Sequence, residues 1–156
     1  MPKNIIILIL LIILTSACGF KIDNYSEINN FTIKKIESTG ENKINYKLKN
    51  KIQAISNYSG EKNIYLKFIT KSKKSIKEKN IKNEITKHGL EIITEVNFRV
   101  LDSIQQGSFT VKVSGDYLVS DQYSQTVKNE KNLINKLVDD ISSNVGRQLA
   151  KNLNDF

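Results

Sequence analysis

The sequence predicts an α+β domain, a two-layer sandwich. Two helices pack on one face of a four-stranded, largely antiparallel or mixed sheet, in the order β-α-β-β-β-α. Three observations predict it. Residues 90–101 and 109–119 alternate apolar and polar side chains, as two half-buried strands do. Leu133, Leu137, Ile141, Val145, Leu149 and Leu153 recur every fourth residue, the apolar stripe of an amphipathic helix. Ile44, Leu48, Ile52 and Ile55 repeat at spacings of four, four and three, marking a shorter helix upstream.

The chain opens with a leader. Lys3 supplies a positive charge and residues 5–14 are an unbroken run of Ile and Leu. Thr15-Ser16-Ala17 then supplies small residues, so residues 1–17 read as a signal peptide. A retained transmembrane anchor is the alternative. The apolar run, about ten residues long, falls short of the roughly 20 that a spanning helix needs. Residues 18–29 follow as a polar N-terminus and tether, and residues 30–156 as the single α+β domain. The nine residues 21–29 reach about 30 Å at full extension.

Phe31-Thr32-Ile33-Lys34-Lys35-Ile36 is read as the first strand. Ser38 and Glu41 fit a capping box before the first helix, and Gly60 reads as the C-terminal cap behind it. Residues 63–70 alternate Ile64, Leu66 and Phe68 with Tyr65, Lys67 and Ile69, a second strand. Ser72, Lys74 and Ile76 extend it outward to a turn near 78–84. Thr94 is the one polar residue on the inner face of the third strand, and Ile93 the apolar exception on its outer face. A loop spans 102–107. Gly115 interrupts the fourth strand, marking a bulge or a close backbone approach. The last helix is expected from about Asn129, with Gly146 allowing close packing. A coiled-coil partner is the rival use for its apolar stripe.

Removal of 17 of the 156 residues leaves 139, enough to bury a core without disulfides or metal. The formal charge is +8, or +7 without Lys3. That excess suits anionic partners such as acidic head groups or phosphorylated glycolipid, and it also serves solubility. A nucleic-acid partner is not expected of an exported chain. One cysteine excludes an internal disulfide, and one histidine gives no zinc-ligand spacing. No Gly-rich phosphate loop, nucleophile elbow or metal motif occurs. His88 reads as a surface histidine at the start of a strand, and Asp139-Asp140 as solvated helix acids. The expectation is a protein that is not an enzyme and binds no cofactor.

Leu14-Thr15-Ser16-Ala17-Cys18 resembles the bacterial lipobox. The resemblance implies cleavage before Cys18, diacylglycerol on its sulfur and an acyl chain on its new amine. A free buried cysteine after an ordinary signal is the plain alternative. Gly19 stands where an inner-membrane retention signal has Asp, so the implied address is the outer membrane. Beyond Cys18-Gly19-Phe20, three further features are similar to the LptE-type outer-membrane lipoproteins of lipopolysaccharide assembly. They are residues 90–101, the segment Gly115-Asp116-Tyr117-Leu118-Val119-Ser120-Asp121-Gln122-Tyr123, and the long final helix. The resemblance implies a lipid-anchored, periplasm-facing plug in an LptD-type β-barrel that contacts lipopolysaccharide. It places basic contacts on the hairpin between strands two and three, where this chain has Lys73, Lys74, Lys77, Lys79, Lys82 and Lys87. A solvated hairpin end is the plain reading of the same lysines. A binding or pilotin-like lipoprotein of another outer-membrane complex is the alternative function.

Overall fold

The computed structural model describes residues 31–56 and 60–154. The leader, Cys18 and the tether lie outside the described residues. The order is β1 (Phe31–Gly40), α1 (Asn42–Ala54), β2 (Lys62–Lys79), β3 (Ile85–Val100), β4 (Gln106–Leu118) and α2 (Tyr123–Asn154). The sheet order is β1-β2-β3-β4; β1 runs parallel to β2, and the other two pairs are antiparallel. The sheet is therefore mixed, because a helix separates β1 from β2 while the later strands are joined by turns.

Alternation decides which side is buried. Ile64, Leu66 and Phe68 of β2 and Leu90, Ile92, Val96, Phe98 and Val100 of β3 all point to the helical side and are buried. α1 contributes Ile44, Leu48 and Ile52, and α2 contributes its predicted stripe from Leu137 to Leu153. The other face of the sheet carries no helix among the described residues. β1 solves a local conflict: Ile33 and Ile36 are three apart, so a regular strand would point them to opposite faces. The register shifts between Ile33 and Lys35, and this bulge turns both isoleucines inward.

Several boundaries differ from the sequence expectation. β1 runs on through Ser38 to Gly40, pairing with Phe68–Thr70, so Ser38 is a strand residue and caps no helix. Glu41 takes the N-cap position without a side-chain cap bond. Its carboxylate instead accepts the Ser72 hydroxyl at 2.8 Å. The strand-to-helix corner falls at Gly40, with φ +97°, where a Cβ would lie 1.9 Å from the Thr70 carbonyl oxygen. Only glycine fits that corner. Gly60 is not a helix cap, since α1 ends at Ala54. It sits against the backbone of Phe31, where a Cβ would be 2.4 Å from the carbonyl carbon, and its N–H donates to Thr32 Oγ1.

α2 begins at Tyr123, well before Asn129. The extra turns carry little apolar periodicity and are held by polar bonds at the corner. Thr126 Oγ1 donates to the Ser120 carbonyl and accepts from the Ser120 N–H, and Asn129 donates to the Leu118 carbonyl. Gly115 causes no bulge; β3 and β4 keep an unbroken register past it. Its role is the close approach, since a Cβ there would meet Leu133 Cδ1 at 2.7 Å. Gly146 likewise admits Ile55, whose Cδ1 lies 2.9 Å from where a Cβ would be. The stripe of α2 packs within the chain, on β4 and α1.

Thr94 has a partner that periodicity did not mark. Its hydroxyl lies 3.3 Å from that of Thr70, directly opposite in register, and both residues are fully buried. Removing one hydroxyl strands the other, whereas removing both leaves two matched apolar groups. Thr70→Val and Thr94→Val should each destabilise the fold by about 1–3 kcal/mol. The double variant should recover most of that loss in urea unfolding. A double loss equal to the sum of the singles would show that the hydroxyls act separately.

Candidate functional site

The lysine-rich end of the β2–β3 hairpin is built on an alternating strand, so its six candidate lysines cannot share one side. Lys74 points toward the helices. Its ammonium lies 5.1 Å from the centre of the Tyr117 ring and 3.4 Å from Glu130 Oε1 on α2. The Tyr117 hydroxyl beside it is the largest cause raising the Lys74 pKa, with Glu130 acting in the same direction against partial desolvation. That buried hydroxyl makes no aligned hydrogen bond among the described residues, so the contact is polar proximity rather than a formed bond. Lys74 is a tie between sheet and helix.

Lys73 and Lys77 point to the opposite, helix-free face. Lys73 stands across from Glu91. The Lys77 side chain lies over Gly89, where a Cβ would be 2.4 Å from its Cε, 2.8 Å from Ser75 Oγ and 3.0 Å from Asp116 Oδ1. The missing side chain leaves a shallow polar pocket of about 410 Å³ with Lys73, Lys77, Glu91 and Asp116 around it. Lys79 donates to Asn83 at 2.8 Å, and Lys87 pairs with Glu78. Lys82 is exposed on the tip, whose turn is organised by Asn80 Oδ1 accepting the N–H groups of Lys82 and Glu84. Asn83 takes the left-handed conformation there, φ +63°. The six lysines thus divide: two on the outer face, one inward, two at the tip and one paired beside it.

His88 lies within β3, its Nδ1 3.3 Å from the Ser75 carbonyl oxygen and its ring 5.6 Å from that of Tyr117. Asp139 does not pair within its own helix; it bridges to Lys51 on α1. Among the described residues no three His, Cys, Asp or Glu side chains gather as metal ligands. No helix among them is long and apolar enough to cross a membrane.

The outer face also holds a cluster that periodicity alone did not single out. Tyr65 donates its hydroxyl to Glu37, which also pairs with Lys35 at 2.8 Å. The Lys35 ammonium and the Arg99 guanidinium lie 5.9 and 5.7 Å from the Tyr65 ring centre. Lys35, Tyr65 and Arg99 come from three strands and meet because Tyr65 is opposite Lys35 on one side and Arg99 on the other. Strand pairing would have revealed them; the separate strand patterns could not. This aromatic centre flanked by cations suits an anionic or sugar-bearing ligand.

No protein-family model matches the chain, and no curated protein matches it in sequence. The two-layer fold, however, is shared with solved bacterial lipoproteins. The chain is similar to rare lipoprotein B from Shewanella oneidensis, with a TM-score of 0.56 at 9% identity over 76% of this chain and 95% of that one. It is also similar to lipoprotein B from Nitrosomonas europaea, with a TM-score of 0.55 at 14% identity over 85% of this chain and 90% of that one. At these identities the likeness is one of fold.

The Tyr65 hydroxyl bond has a pH signature. The hydrogen bond to Glu37 holds the phenol pKa above its ordinary value, and Lys35, then Tyr65, hold the Glu37 pKa below the usual carboxylate range. The phenol's contribution is present below its unfolded pKa and fades as pH rises through the folded one. The carboxylate's contribution is present above its unfolded pKa and fades as pH falls through the folded one. In ¹³C-tyrosine NMR, with Tyr65 assigned by Tyr65→Phe, its phenol should titrate above the ordinary tyrosine value. Glu37→Gln should lower the Tyr65 midpoint toward that ordinary value; a midpoint indifferent to Glu37→Gln would refute the coupling.

Proposed function

We propose that the chain is an outer-membrane lipoprotein, anchored through acyl groups on Cys18 and facing the periplasm. On this reading its α+β domain plugs an LptD-type β-barrel and assists lipopolysaccharide assembly. The observation that carries the reading is the fold shared with rare lipoprotein B, reached by a chain whose only cysteine follows an apolar leader. One-sided burial supports it as well. A domain with one polar, helix-free sheet face can lie against a polar barrel lumen without exposing its core.

The role is binding and positioning. Lys73 and Lys77 stand together on the outer face and meet phosphate groups by charge attraction, a contact that salt weakens. The Lys35, Tyr65 and Arg99 cluster lies on the same face and offers a ring and two cations to a phosphorylated sugar. Lys74 serves the fold, because its charge is matched by Glu130.

Affinity capture of the full-length chain from detergent-solubilised outer membrane should recover a large β-barrel protein. Recovery of a secretin or another complex would favour the pilotin-like alternative, and capture of no barrel would count against both. Lys73→Glu combined with Lys77→Glu should weaken binding to lipopolysaccharide at low salt by about ten-fold, a loss of about 1.4 kcal/mol. The difference from the parent should shrink at high salt. Equal binding by parent and variant would remove the outer-face lysines from the contact.

A further inference from the structure

The two helices run parallel and touch along most of α1. Lys47 bonds Asn135, Lys51 pairs with Asp139, and Ile55 packs on Gly146. These pairings put the start of α1, at Asn42, level with about residue 130 of α2, by the helical rise they share. α2 begins at Tyr123, so its first two turns extend beyond the end of α1. A cleft of about 780 Å³ opens at this mismatch, with Ser72 and Leu90 of the sheet as its floor. Ile44 and Tyr46 line one wall, Val127 and Ile134 the other. Tyr46 is 71% exposed and Val127 44%, large apolar surface that the domain itself leaves uncovered.

Charged side chains complete the lining. They are Lys43, Lys47 and Lys131 and two acids, Glu41 and Glu130. Both acids are engaged, Glu41 by the Ser72 hydroxyl and Glu130 by Lys74. Lys43 and Lys131 extend into solvent on opposite sides of the mouth. A trough of this volume, with apolar walls and two exposed cations, Lys43 and Lys131, at its edges, matches an amphiphile: a hydrocarbon body inside and an anionic head outside. A partner helix fits less well. It would have to seat a row of apolar side chains along a trough whose lining includes five charged residues, Glu41, Lys43, Lys47, Glu130 and Lys131.

We propose that this cleft binds a long-chain fatty acid. The acyl chain lies between Val127, Ile134, Ile44 and Tyr46, and the carboxylate meets Lys43 and Lys131. The site is separate from the outer sheet face and needs no barrel, so its test and the barrel capture succeed or fail independently.

The test uses the full-length chain in nanodiscs of zwitterionic lipid. The probe is palmitic acid with a photoreactive diazirine near its chain end, followed by peptide mapping. Adducts should concentrate on the peptides containing Tyr46, Val127 and Ile134. Val127→Asp should cut that yield at least about five-fold, near 1 kcal/mol of binding. Val127→Leu keeps the wall apolar and should label as the parent does, which separates a blocked cleft from a disturbed fold. Lys43→Glu with Lys131→Glu should reduce labelling by the acid and leave labelling by its methyl ester unchanged. Adducts spread evenly over the domain would overturn the proposal. So would cleft labelling indifferent to Val127→Asp, or equal sensitivity of acid and ester to the lysine changes.

Discussion

The antiparallel pairing of β2 with β3 sets the terms for the rest of the molecule. Eighteen and sixteen residues long, these strands place Ile64, Leu66 and Phe68 beside Val100, Phe98 and Val96 on one face. That apolar surface must be covered, and two helices cover it. Between them the buried Thr70–Thr94 contact sits in the same row, so a register slip would place polar side chains in the core. The edge strands adapt to this centre. β1 bulges to bring Ile33 and Ile36 inward, and β4 gives up a side chain at Gly115 so that Leu133 can lie on it.

Covering one face leaves the other as a broad polar surface, and that asymmetry redistributes the charge. A lysine-rich run in sequence becomes two surfaces in space, since each step along β2 from Lys71 to Ile76 changes face. Lys74 is used to hold α2 to the sheet, while Lys73 and Lys77 join an outer face that already carries Lys35, Lys67, Arg99 and Lys112. Glu37, Glu91, Glu95 and Asp116 lie among them, so the face is a mixed polar surface with excess positive charge rather than a uniform basic patch. Such a surface favours specific pairing over loose attraction.

The helical layer is unequal by design of the chain: α1 has 13 residues and α2 has 32. Where both are present they pack closely, with Ile55 set against the bare backbone of Gly146. Where α1 is lacking, α2 is held by corner hydrogen bonds instead of by a core, and its apolar side chains remain open to a ligand. The cleft is thus a consequence of helix length.

The sequence by itself determined the element types, their order and the buried side of each strand and helix. Those properties rest on side-chain periodicity within single segments, as in the Leu133–Leu153 stripe and the alternation of residues 90–101. It also marked Cys18, because the lipobox likeness is contiguous. Segment ends were less legible. Ser38 and Glu41 spell a capping box, yet the pairing of Ser38–Gly40 with Phe68–Thr70 prevails, since a strand extension adds ladder bonds that a local cap cannot match. Only the tertiary structure decided which residues meet. Lys35 with Tyr65 and Arg99, Thr70 with Thr94, Lys74 with Glu130, and Tyr46 across from Val127 are far apart in the chain. Register and helix placement bring them together, and neither is written in the period of any one segment.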